Sequence, residues 1–172
     1  TRYSLAAHDV GAWVAYPCAA MYGEEVQHLA LLDAGIPGIT LPDVLPVTPD
    51  NSRNTRPLAI HTFPDFPEAL IAGNERGYLD WFLRRKTAAP DAFTDDDISE
   101  YLRVFLKSGG LRAGLAYYRS VTESAEQNRT LNRAGKLKMP VLAVSADQGS
   151  IPDMAIPLRA FAENVTGIII PH

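Results

Sequence analysis

Four short, nearly continuous apolar runs punctuate the chain: residues 3–7 (YSLAA), 26–33 (VQHLALLD), 141–145 (VLAVS) and 165–170 (VTGIII). Runs of this length and composition predict strands buried on both faces. Helical patterns follow the first and third runs, over residues 12–22 and 153–163, with Pro157 expected to shorten or kink the latter. Strand–helix–strand alternation of this kind predicts a parallel sheet of the α/β class, its strands flanked by helices.

More than a hundred residues of different character separate the second and third strands. Residues 35–56, rich in Pro and Asn and without periodicity, predict a long surface loop. Three helices are predicted beyond it. Residues 68–86 are amphipathic with a break at Gly73, residues 95–106 follow an N-cap Thr94 with Asp97 three positions on, and residues 111–127 follow the Gly109-Gly110 step. Helices inserted between two strands of a parallel sheet predict a lid over the strands' carboxyl ends, where such sheets bind ligands. The expected organisation is a core over residues 1–38, a lid over 39–134 and a returning core over 135–172.

The composition narrows the classes. The chain has 172 residues, 47% of them hydrophobic and 21% charged, with a net charge of −4, which describes a folded globular chain. Mild acidity, with Lys and Arg dispersed, argues against nucleic acid as a partner. No apolar run approaches the ~20 residues of a membrane span. Cys18 has no second cysteine to pair with, and the Cys/His spacing of a structural zinc site is absent. The first and last predicted strands lie two residues from the two ends, where a free-standing domain seldom begins or stops, so a piece of a longer protein is expected.

The chemistry concentrates at Ala7-His8-Asp9-Val10-Gly11, where the first strand meets its helix. The pattern small-x-Asp-x-small suits a sharp strand-to-helix turn, which has no room for large side chains two positions from its apex. Asp9 at that apex projects above the sheet at a helix N-terminus, where peptide N–H groups favour an anion. An ionised carboxylate placed there is a nucleophile toward electrophilic carbon. Capping of the helix by the Asp9 side chain is the ordinary alternative.

The run HDVGAWVAYPCAAMYGEEVQHLALLDAGIPG resembles the α/β-hydrolase superfamily, specifically its Asp-nucleophile epoxide hydrolases and dehalogenases. The resemblance continues through PDFPEALIAGNERGYLDWF, GLRAGLAYYRSVTESAEQN, KLKMPVLAVSADQG and AENVTGIIIP, and so covers essentially the whole chain. It implies an α/β-hydrolase fold with a helical lid, entered at the nucleophile strand, with earlier strands and the C-terminal end absent. In such enzymes the Asp attacks carbon to form an alkyl-enzyme ester, which a His-activated water then hydrolyses.

By this resemblance Asp9 is the nucleophile, and the Val10 backbone N–H belongs to the oxyanion hole. Asp33, 24 residues after Asp9, is the acid that orients the catalytic His, because Gln148 stands in the acid's other usual place, leaving Asp147 a weaker substitute. Tyr118 is the lid tyrosine that hydrogen-bonds the epoxide oxygen. It shares a helical face with Leu111, Leu115 and Val121, while Tyr117, about 100° away, is expected to pack. His61, in Ile60-His61-Thr62-Phe63, takes the position of a Trp-His-Phe motif whose His is a second oxygen ligand; the stretch from His61 to Pro64-Asp65-Phe66-Pro67 is several residues shorter than the family's. Trp13, Trp81, Phe82 and Phe105 are candidates for lining an apolar pocket, with ordinary core packing as the alternative. His8 and His28 read as structural. His172 falls just short of the catalytic His, which this chain then lacks.

Three chemistries share this framework. Haloalkane dehalogenases hold halide with a Trp after the nucleophile, where this chain has Val10. Haloacetate dehalogenases carry elbow arginines, absent from Asp9-Val10-Gly11-Ala12-Trp13. Epoxide hydrolysis fits best, with a small-molecule epoxide as partner, no cofactor and no metal. A homodimer is compatible with the sequence, and a cytoplasmic location is expected ahead of secretion. A non-catalytic binding protein on a hydrolase fold is the reading from another class.

Overall fold

The computed structural model describes residues 1–42, 59–85, 87 and 89–171. Most of the predicted loop 35–56, the end of the predicted helix 68–86, and His172 lie outside them. In chain order the elements are β1 (Tyr3–His8), α1 (Val10–Met21), β2 (Val26–Leu32), α2 (Phe66–Ile71), α3 (Glu75–Arg84), a 3-10 turn (Pro90–Ala92), α4 (Asp95–Phe105), α5 (Gly110–Arg119), α6 (Val121–Asn132), β3 (Val141–Ala146), α7 (Ala155–Leu158) and β4 (Val165–Ile170). They form two compact units, one of Thr1–Leu45 with Val121–His172 and one of Pro46–Ser120.

The first unit carries a four-stranded sheet in the order β1-β2-β3-β4. Every neighbouring pair is parallel, with His8 opposite Leu32, Leu32 opposite Val144, and Ala146 opposite Ile170. Apolar alternation places the core: Val141, Ala143 and Ser145 of β3 are buried in turn, as are Leu29 and Leu31 of β2. Helix α1 presents Ala12, Ala15, Tyr16 and Ala19 to that core, a single stripe at helical spacing. Asn128 of α6 is also buried, with its amide donating to the Pro37 carbonyl at 3.0 Å.

The expectation that all four strands are buried on both faces does not hold. β1 alternates between half-buried and exposed positions, and Ile168, Ile169 and Ile170 of β4 are about half exposed. Among the described residues each of these two strands pairs with one neighbour. Helix α7 is confined to four residues, as Pro157 predicts. It packs on β4 at Gly167, where an added Cβ would stand 2.7 Å from that of Ala155.

In the second unit Gly73, at φ +83°, separates α2 from α3, a left-handed conformation that glycine adopts without cost. The predicted helix 111–127 is instead two helices that part at Ser120, whose hydroxyl donates back to the Ala116 carbonyl at 3.0 Å. Tyr117 is 51% exposed, so its expected packing role is corrected: Leu115 is the buried residue of α5, and Tyr117 lies on another face. The cap of α4 is a full capping box, Asp97 N–H to Thr94 Oγ1 at 3.2 Å and Thr94 N–H to Asp97 Oδ2 at 2.9 Å. The Thr94 bonds hold the Asp97 carboxyl below its usual range. Thr94→Ala is expected to lower the thermal midpoint by about 3 °C, measured by calorimetry, with a transition unchanged within error counting against the box.

Candidate active site

Asp9 joins β1 to α1 with φ 51° and ψ −125°, a conformation non-glycine residues rarely hold, at a cost on the order of 1–3 kcal/mol. Its peptide N–H faces the Leu32 carbonyl at 3.4 Å, and its carbonyl accepts from Ala12 N–H at 2.9 Å to open the helix. The side chain makes no capping hydrogen bond and is exposed. The turn therefore bends sharply without employing the carboxylate as a cap. Ala7 and Gly11 face each other across it; a Cβ on Gly11 would stand in ordinary contact with that of Ala7, at 3.8 Å. Val10 heads α1, so its N–H belongs to the first turn, whose donors have no acceptor within the helix.

Because His8 pairs with Leu32, the next residues, Asp9 and Asp33, leave adjacent strands at the same end of the sheet. Asp33 also has positive φ, +41°, with its N–H donating to the Val144 carbonyl at 2.8 Å. Its carboxylate is held from the loop after β3: Oδ2 accepts from Ser150 N–H at 3.0 Å and Oδ1 from Ile151 N–H at 3.1 Å. Gly149 passes so close that an added Cβ would lie 2.6 Å from Oδ1. Two buried bonds brace the same loops, Ala34 N–H to Met154 Sδ at 3.2 Å and Met154 N–H to Ser145 Oγ at 2.9 Å. Trp13 ties α1 to the segment after β2 through its indole N–H, 2.8 Å from the Gly35 carbonyl.

In the helical unit His61 is 3% exposed. Its ring lies 4.7 Å from that of Tyr118 and 5.7 Å from that of Phe82, centroid to centroid. The Tyr78 hydroxyl sits 2.6 Å from His61 Nε2, and burial pushes that hydroxyl's pKa well up. Arg119, next to Tyr118, straps α5 to the His61 segment by donating to the Phe63 carbonyl at 3.0 Å and to Glu68 at 2.7 Å. Burial would raise the Glu68 pKa, but the Arg119 hydrogen bond, Glu68's own backbone N–H and the charges of Arg119 and Arg112 together outweigh it and hold the carboxyl below its usual range. Phe105 stacks on Tyr78 at 6.2 Å, and half-exposed Trp81 lies under the Arg85 guanidinium at 4.4 Å. Among the described residues no group of three or more His, Cys, Asp or Glu could hold a metal ion, and no helix is long and apolar enough to cross a membrane.

No family model matches the chain. A soluble epoxide hydrolase of Corynebacterium sp. (strain C12) is 32% identical over 178 residues, covering 96% of this chain and 58% of that protein. The crystal structure of Cfl2 from Burkholderia cenocepacia superposes with a TM-score of 0.96 at 68% identity, over 99% of this chain and 58% of that one. The chain belongs to the α/β-hydrolase superfamily. The Cif epoxide hydrolase of Acinetobacter nosocomialis, a further solved structure, superposes at a TM-score of 0.87 and 25% identity, over 99% of this chain and 54% of that one. This α/β-hydrolase chain thus spans somewhat more than half the length of the relatives it matches.

Within the hydrolase fold the structure brings together two sets of the residues singled out by sequence. Asp9, Val10 and Asp33 gather at one end of the sheet, and His61, Tyr118 and Phe105 share one aromatic cluster. Two participants were not visible in the sequence. Tyr78 reads there as one more aromatic on an amphipathic helix, and its partner is 17 residues away. Gly149 belongs to an unremarkable loop, and only the folded chain brings it against Asp33, more than a hundred residues earlier.

Proposed function

We propose that the intact protein is an epoxide hydrolase acting through Asp9. The carboxylate attacks a ring carbon, the carbon–oxygen bond breaks, and the oxygen takes a proton from the Tyr118 hydroxyl while His61 donates a second hydrogen bond. The product is an ester on Asp9. Water activated by a His from outside these residues, oriented by Asp33, attacks the ester carbonyl, and the Val10 N–H helps to hold the oxyanion as a vicinal diol departs. No cofactor enters these steps, and the partner is a small-molecule epoxide.

The observation that most supports this reading is the contact of His61 with Tyr118, whose ring centroids lie 4.7 Å apart, so that the two side chains proposed to bind the epoxide oxygen are neighbours. An opened epoxide oxygen must also gain a proton, which a tyrosine hydroxyl can supply and a leaving halide does not require. The strained Asp9 turn with its uncommitted carboxylate, and relatives that are themselves epoxide hydrolases, support it.

Single turnover of the intact protein on alkyl and aryl epoxides in H₂¹⁸O tests the proposal. Attack at the ester carbonyl places ¹⁸O in the Asp9 carboxylate and leaves the first diol unlabelled, both read by mass spectrometry. Label appearing in the first diol would exclude the ester route, and no turnover at all would favour a binding protein. Tyr118→Phe is expected to slow ring opening by about 100-fold in stopped-flow single turnovers; an unchanged rate removes Tyr118 from the mechanism.

A further inference from the structure

We infer that Tyr78 is a positioning residue for His61, its hydroxyl donating to Nε2 and so fixing the neutral ring as the tautomer that carries its proton on Nδ1. The Tyr78 hydroxyl and His61 Nε2 are 2.6 Å apart, within hydrogen-bond reach. The chemistry of the two groups gives the direction of the bond: a phenol is a good donor and a poor acceptor, whereas an imidazole nitrogen without a proton is a strong acceptor. Burial, with the Tyr118 hydroxyl adding to it, raises the Tyr78 pKa and keeps the phenol protonated.

Tyr78 is itself held in place. Its ring stacks on Phe82, one turn along α3, at 5.6 Å and 21°, and on Phe105 of α4 at 6.2 Å and 7°. The two stacking contacts fix the plane of the ring, in which the hydroxyl lies, 2.6 Å from the buried imidazole's Nε2. A neutral histidine offers one donor and one acceptor, and the tautomer decides which nitrogen is which. With Nε2 engaged as acceptor, any hydrogen bond His61 gives comes from Nδ1. For catalysis this rests on the proposed role of His61 as an oxygen ligand; the tautomer itself does not.

Long-range ¹H–¹⁵N correlation spectra of the labelled intact protein test the assignment, with His61 identified by the resonances lost in His61→Gln. The expected wild-type pattern is a protonated Nδ1 and an unprotonated Nε2. In Tyr78→Phe, which keeps the ring and its stacking, the two nitrogens are expected to move toward averaged shifts. A wild-type proton on Nε2, or on both nitrogens, overturns the inference, as does a His61 pattern unchanged in Tyr78→Phe. On an epoxide substrate, Tyr78→Phe is expected to lower kcat about tenfold with KM within about twofold. Absence of turnover in the wild type would count against the function while leaving the spectra to decide the tautomer.

Discussion

Asp9→Asn in the intact protein is expected to keep the fold and to lose on the order of 10⁴-fold or more in turnover, with no ester detectable on residue 9. The fold should persist because Asn tolerates positive φ nearly as well as Asp, so the turn at φ 51° survives the exchange. The side chain makes no capping hydrogen bond whose loss would loosen α1. What the exchange removes is the nucleophilic carboxylate, for which a neutral amide is no substitute. Far-ultraviolet circular dichroism separates the two effects from each other. Turnover within tenfold of wild type, in a folded variant, would exclude Asp9 as nucleophile.

The second large effect is expected at Asp33 and at the glycine that cradles it. Both Asp33 oxygens accept backbone N–H groups, from Ser150 and Ile151. Asn offers one acceptor oxygen, so its NH₂ group would confront one of those donors and the loop would shift. Gly149→Ala approaches from the other side, with a Cβ 2.6 Å from Oδ1, closer than real contacts allow. If Asp33 orients the histidine that activates water, both variants slow ester hydrolysis more than ester formation. Turnover is expected to fall on the order of 10³-fold for Asp33→Asn and about 100-fold for Gly149→Ala, with the Asp9 ester accumulating in each. Intact-mass measurement during turnover reads this directly. Equal slowing of both steps, or no accumulation, would reassign Asp33 to loop structure.

How much of this was legible in the sequence follows from the range of the interactions involved. The four strands announced themselves as short apolar runs, and the Thr94–Asp97 box because both partners lie within one turn. The Asp9 turn was legible through the small residues its sharpness demands. The burial of each strand was not legible, because β4 is as apolar as β3 yet Ile168, Ile169 and Ile170 are about half exposed. Nor was the break at Ser120, where helical periodicity continues across the residue and a hydroxyl back-bond marks the junction. Tyr117 and Tyr118 show the same limit: spacing separates their faces but does not say which neighbour each will meet. Features between different elements, such as Gly149 against Asp33 and Tyr78 against His61, leave no local pattern at all.

The register of β2 against β3 has a consequence for how the chain folds. Leu29 pairs with Val141, and between them runs the whole of the helical unit. Closing a flexible loop of about a hundred residues costs roughly 4 kcal/mol of chain entropy before any strand contact offsets it. The helical unit draws its own contacts from nearby residues, such as α3 with α4 and α4 with α5, and so can form while the sheet is still open. Any order formed in that unit before the sheet closes lowers the entropy still to be lost when β2 meets β3. Destabilising it would therefore slow assembly of a sheet to which its described residues contribute no strand.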